Sequence, residues 1–226
     1  MIFYAFDIAI KHESPDMESG YPGNLQVKVH YILTNENEWR IHYEAKSDQE
    51  TLFNPTNHAY FYTGLSQSDA KQAVRLAIKA DQYTPIRKDG IPLGTASVEG
   101  TAFDFRQPEG CLLAEHLASQ NEQIRLVNGL DHGFVFPQSH SETSVAWLRT
   151  PNYQLTVSTD RPSMVVYTYN IGDSHVSMDQ VDLAEHDVIA FETQVLPDAI
   201  HQPSFGSVVL KKDEWFTSTT TYQISK

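Results

Sequence analysis

The chain has 226 residues, enough for one sizeable core, and is read as a single domain over residues 1–226. Its net charge of −13, with 29 acidic against 16 basic residues, argues against a nucleic-acid or anionic-membrane partner, since both need a basic face. The same charge argues against a phosphorylated substrate and leaves a neutral small molecule as the best-fitting ligand. Cys111 is the single cysteine, so no intrachain disulfide can form, which points to the reducing cytosol. No stretch approaches the ~20 apolar residues of a membrane span.

In chain order, the first element is a strand over residues 2–10, with Ile2, Tyr4, Phe6, Ile8 and Ile10 on one face. Both of its faces are largely apolar, which predicts a strand covered on both sides. A turn-rich loop follows from Ser14 to Asn24. Leu25, Val27, Val29, Tyr31 and Leu33 then alternate with polar residues, and after TNENE the alternation resumes at Trp39, Ile41, Tyr43 and Ala45. That is an antiparallel hairpin. His30 and His42 fall opposite each other on its polar face, where solvated cross-strand residues are far commoner than metal ligands and no third ligand is evident.

Further strands are expected at Val74–Ala80, Leu155–Thr159, Met164–Tyr169, Val188–Val195 and Trp215–Ile224, with one short helix at Cys111–Ser119. A long loop rich in proline and glycine runs up to Phe105. Many short strands, aromatic and threonine enrichment and a single helix predict an all-β antiparallel fold, first of all a large β-sandwich.

Three polar clusters interrupt the β pattern: Asn57 and His58 in NPTNHAYF, Asp131 and His132 in GLDHGFVF, and Glu192 with Gln194 in FETQVLPDA. Glu192 sits in the middle of an apolar strand that stops at Pro197, and burying an ionised carboxylate without partners is costly. Each cluster taken singly also has a structural reading: His58 as a core histidine, Asp131 as a turn residue after Gly129, His132 as a surface residue. The chain has no G-x-S-x-G, H-E-x-x-H, C-x-x-C, P-loop or G-x-G-x-x-G motif. Histidine plus carboxylates remain, the set for general acid–base catalysis with no cofactor and no metal.

The strings SPDMESGYPGNLQVKVHYILT, NPTNHAYFY, TPIRKDGIPLGTASVEGTAFDFRQP, GLDHGFVF, LTVSTDRPSMVVYTYN and FETQVLPDAIHQP resemble successive blocks of the aldose 1-epimerase (galactose mutarotase) family. They stand in the family's order and cover essentially the whole chain. The resemblance implies an antiparallel β-supersandwich and interconversion of the α and β anomers of free hexoses such as galactose or glucose. It implies His58 as general acid, Glu192 as general base, and Asp131 as the residue gripping sugar hydroxyls, with Asn57 beside it. Tyr60 and Phe61 are candidates for the apolar face of the sugar.

The match also has gaps. Family members usually carry about a third more chain ahead of this point, with an N-R-I and an H-G-G segment that contact the sugar, and neither string occurs here. The chain is therefore expected to be N-terminally truncated, with an open sheet edge through which it could self-associate. Arg161-Pro162-Ser163 stands where the family commonly has Gln-Pro-Gly, which makes Arg161 a candidate substrate contact, and Pro55 replaces a usual leucine. Against an active mutarotase stands a non-catalytic sugar-binding remnant of the same fold.

Overall fold

The computed structural model describes residues 4–137, 144–171, 177–178 and 181–226. Its long strands come first and last in the chain: β1 (Tyr4–Ser14), β2 (Leu25–Thr34) and β3 (Glu38–Ser47), then β4 (Thr51–Leu52), β5 (Tyr60–Tyr62), β6 (Arg75–Ile78), β7 (Gln82–Tyr83), β8 (Ala96–Ser97) and β9 (Cys111–Leu112). Beyond two short helices, α1 (Leu113–Leu117) and α2 (Glu122–Val127), come β10 (Asp131–Val135), β11 (Ser144–Arg149), β12 (Gln154–Thr159), β13 (Ser163–Tyr167), β14 (Ser177–Met178), β15 (Val181–Asp182), β16 (Val188–Gln194), β17 (Val209–Leu210) and β18 (Phe216–Ser225).

Eight of these strands form one sheet in the order β1-β2-β3-β18-β12-β11-β6-β9, and six form a second in the order β5-β16-β13-β10-β7-β8. All the ladders are antiparallel, as the period-two patterning requires. The sheets face each other across a core that holds Leu76, Ile78, Leu148, Leu155 and Val157 from the larger and Phe134, Met164, Val166, Ile189 and Phe191 from the smaller. Tyr222 is buried between them and donates its hydroxyl to the Phe191 carbonyl at 2.7 Å, tying β18 to β16. Phe103 stacks on Tyr83 at 3.9 Å to close the core below β7.

The hairpin of β2 and β3 lies where the alternation put it, with His30 paired to His42. β1 departs from expectation. It is a strand, but it stands at the sheet's edge with β2 as its partner, and Phe6, Ile8 and Ile10 are exposed rather than covered on both sides. The six-stranded sheet ends at β5, and none of its strands packs against β1 in the principal strand contacts. The expected helix at Cys111–Ser119 is split, its first two residues extending the large sheet as β9 and only Leu113–Leu117 turning helical. The second helix, α2, is capped by Asn121, whose side chain accepts from the Gln123 N–H at 2.9 Å. No helix among the described residues is long and apolar enough to cross a membrane.

Candidate active site on the open face of the smaller sheet

β16 carries Glu192, and its register decides what surrounds it. Against β13, Glu192 lies beside Val165 and Ala190 beside Tyr167; against β5, Ala190 lies beside Tyr60. Carrying the β5 ladder on past Tyr60 puts His58 opposite Glu192. β10 then sets Asp131 beside Tyr167. Side chains alternate across a strand, so His58, Tyr60, Glu192, Tyr167 and Asp131 all point to one face while Phe61, Phe191, Val166 and His132 point into the core. Four segments far apart in the chain thus deliver their polar residues to one surface.

The central contact is between His58 Nε2 and Glu192 Oε1, 3.2 Å apart, with the Glu192 side chain 14% and the His58 side chain 47% exposed. The acid and base of the sequence reading touch each other directly. His58 is held from below by Tyr60, whose ring meets it edge-on at 4.9 Å, and by Tyr167 at 5.9 Å; Tyr169 packs edge-on against Tyr60. Tyr169 holds a φ of 49°, which few residues other than glycine adopt and which turns the chain sharply as it leaves β13. Ahead of the imidazole, Asn57 Oδ1 accepts the Ala59 N–H at 3.0 Å and so shapes the bend on which His58 stands. The Tyr43 hydroxyl donates to the Thr56 carbonyl at 3.0 Å, anchoring the same bend to the larger sheet.

The electrostatics suit proton transfer. Burial pushes the Glu192 carboxyl above the ordinary carboxylate range; the nearby His58 pulls it back down, and Asp131 pushes it up again. Asp131, the exposed first residue of β10, is likewise raised by partial desolvation against the sheet, offset in part by His58. One imidazole and two carboxyls thus share a single patch, the residue types that general acid–base catalysis uses. Among the described residues no group of three or more His, Cys, Asp or Glu side chains could hold a metal ion.

Not every candidate lies in the patch. His132 is fully buried rather than at the surface, because β10 turns it to the core face. Its Nδ1 accepts the Asp131 backbone N–H at 3.0 Å, which leaves the proton on Nε2, 3.4 Å from Gln123 Oε1. Burial pulls its pKa down to about 4, so it stays neutral and serves the fold. Arg161 is also buried. Its Nη2 donates to Asn54 Oδ1 at 2.8 Å and its guanidinium stacks over Phe216 at 5.1 Å, partners outside the His58–Glu192 patch. Phe61 packs against Tyr222 at 5.0 Å in the core, leaving Tyr60 as the aromatic of its pair that faces the patch. Tyr167 and Tyr169 went unnoticed in the sequence, although their spacing in VVYTYN puts them on one face of a strand.

The structure is thus an all-β double sheet with a histidine–carboxylate pair on a tyrosine-lined face. The family model for aldose 1-epimerase matches residues 6–223, and the chain belongs to that family. It is 35% identical over 216 residues to the aldose 1-epimerase of Escherichia coli K12, covering 93% of this chain and 61% of that protein. It is 32% identical over 222 residues to the maltose epimerase of Levilactobacillus brevis, covering 97% of this chain and 62% of that one. Among solved structures, galactose 1-epimerase from Lactobacillus acidophilus superposes with a TM-score of 0.83 at 31% identity, over 99% of this chain and 65% of that one. The chain thus spans about 61–62% of the length of the curated relatives it matches.

Proposed function

We propose that the protein is an aldose 1-epimerase that interconverts the α and β anomers of a neutral aldose bearing a free anomeric hydroxyl, a hexose such as galactose or glucose. The observation that carries this reading is the 3.2 Å contact between His58 and Glu192 on a face lined by Tyr60 and Tyr167. Names among the relatives span aldose, galactose and maltose, and what these sugars share is the hemiacetal. The two sheets share one core, which supports reading residues 1–226 as a single domain.

Ionised Glu192 removes the proton from the anomeric hydroxyl. As the C1–O5 bond breaks, the imidazolium of His58 gives its proton to the ring oxygen, and an open-chain aldehyde results. Rotation about C1–C2 presents the other face of the carbonyl. Closure then runs the two transfers backwards: neutral His58 takes the proton from the O5 hydroxyl and the Glu192 acid returns one to the carbonyl oxygen. Electrons and protons balance with no outside reagent. The sugar must reach the imidazole and the carboxylate together, and His58 is the more exposed of the two. Asp131, in the adjacent row, accepts hydrogen bonds from sugar hydroxyls. Asn57 acts by shaping the bend that presents His58. Tyr60 and Tyr167 offer ring surface to the sugar's C–H face.

Polarimetry on freshly dissolved α-D-glucose and α-D-galactose tests the reading. Relaxation to the equilibrium rotation faster than buffer alone, and proportional to protein, is expected. Relaxation at the buffer rate with saturable sugar binding would leave a binding protein of the same fold.

A further inference from the structure

The acid and the base stand on separate segments, and the gap between them is set by whatever ties those segments together. One side chain does this directly. Asn54 lies just ahead of the His58 bend, and its Nδ2 donates to the Val195 carbonyl at 2.9 Å while its Oδ1 accepts the Val195 N–H at 3.0 Å. Val195 follows directly on β16, the strand of Glu192. A single amide therefore clamps both backbone groups of the residue leaving the base's strand to the segment that leads to the acid.

Arg161 completes the clamp. Its guanidinium donates to the same Asn54 Oδ1 at 2.8 Å, a charge-assisted bond from a buried position. It is seated over Phe216, which itself meets Phe53 edge-on at 5.1 Å, so both sides of the Asn54–Arg161 contact are braced by β18. The partners fix which way the amide points: a flipped Asn54 would aim its NH2 at two donors, the Val195 N–H and the guanidinium. A thinner polar line continues from Asn54 Nδ2 to Gln194 Oε1 at 3.5 Å and from Gln194 Nε2 to Glu192 Oε2 at 3.4 Å.

We infer that Asn54 and Arg161 form a bracket that sets the separation of His58 and Glu192, and that Arg161 is a positioning residue rather than a sugar contact. The inference rests on the mutarotase reading for its kinetic consequence, and on geometry alone for the bracket itself. A loosened bracket leaves the ground-state grip on the sugar and spoils the alignment of the two proton transfers. Kcat then falls while KM holds.

The test compares wild type with Asn54→Ala, Asn54→Asp, Arg161→Gln and Arg161→Lys. Anomer exchange gives kcat and KM, melting temperature gives folding, and carboxyl-carbon NMR gives the Glu192 titration. Asn54→Ala and Arg161→Gln are expected to lose ~10–100-fold in kcat with KM little changed. Arg161→Lys, which keeps a cationic donor, should recover more of kcat than Arg161→Gln. In Asn54→Asp, which keeps the acceptor and loses the donor to the Val195 carbonyl, kcat should fall between wild type and Asn54→Ala. The Glu192 midpoint should move upward in Asn54→Ala as His58 draws away. A folded Asn54→Ala with wild-type kcat and an unmoved Glu192 titration would overturn the bracket, as would a loss of kcat explained entirely by the unfolded fraction. Should wild type show no exchange at all, the enzymatic reading fails while the Glu192 titration still decides for or against the bracket.

Discussion

Two faces of this molecule carry histidines among carboxylates, and they differ in what surrounds them. On the outer face of the larger sheet, His30 and His42 pair across β2 and β3 with ring centroids 6.2 Å apart, and Glu44 lies 3.8 Å from one Nε2 and 3.9 Å from the other. On the open face of the smaller sheet, His58 meets Glu192 at 3.2 Å. Composition is nearly the same. The carboxylate is not: the Glu44 side chain is 34% exposed and also takes Lys28 at 3.4 Å, while Glu192 is 14% exposed, rises above the ordinary carboxylate range and has tyrosines around its partner. Water screens the first cluster, so its ion pairs are worth little. In the second, water reaches the imidazole but is largely kept from the carboxylate. Burial of the acid, rather than the presence of a histidine, separates a candidate catalytic site from a solvated strand face.

The sharpest way to break this comparison is to remove the acid or the base from the face of the smaller sheet. Glu192→Gln and His58→Asn are each expected to cut anomer exchange by ~10²–10⁴-fold, the usual contribution of a positioned acid or base. Glu192→Gln should in addition melt no lower than wild type at neutral pH. A carboxyl whose folded pKa is raised favours the folded state only while protonated, so at neutral pH its charge works against the fold and its removal relieves that strain.

The same raised value predicts the acid limb of activity. The rate should fall as pH drops through a midpoint above that of an exposed glutamate, because the base is lost there; a pH series of kcat reads it.

His132 offers a third environment, with neither water nor a carboxylate partner. Its folded pKa of about 4 lies below the unfolded value of 6.5, so the unfolded chain binds a proton that the folded one refuses between those values. Stability is intact above 6.5 and is lost as pH falls towards 4, by roughly 3 kcal/mol in total. Denaturant unfolding at both ends of this range should show His132→Gln losing less than wild type.

The smallest effect belongs to the outer face. His30→Ala and His42→Ala should leave exchange unchanged and alter stability by no more than about 0.5 kcal/mol each. A loss of exchange from either would erase the distinction between the faces.

Much of this was legible in the residues. The alternation from Leu25 to Ala45 determined the hairpin because one polar turn separates two unbroken period-two runs. His58, Glu192 and Asp131 could be picked out as polar intrusions in apolar strands, and the ladders bring all three to one face. The exposure of β1 could not be read, since an apolar strand looks alike whether or not a second sheet reaches over it. His132 was misplaced because Asp131 and His132 are adjacent, and period two sends adjacent residues to opposite faces. α2, Glu122–Val127, is too short for a helical period to show. Arg161 became a candidate contact by standing where the family commonly has glutamine, and its buried seat against Asn54 and Phe216, remote in the chain, is one that no local pattern announces.

The most direct test of the central claim is exchange NMR between the α and β anomeric protons of glucose or galactose at neutral pH, run on wild type, His58→Asn, Glu192→Gln and a His30→Ala/His42→Ala double variant. The account predicts protein-dependent exchange in wild type and in the outer-face double variant, and none above buffer in the other two. Equal exchange in all four proteins would show that the His58–Glu192 pair does not carry the reaction.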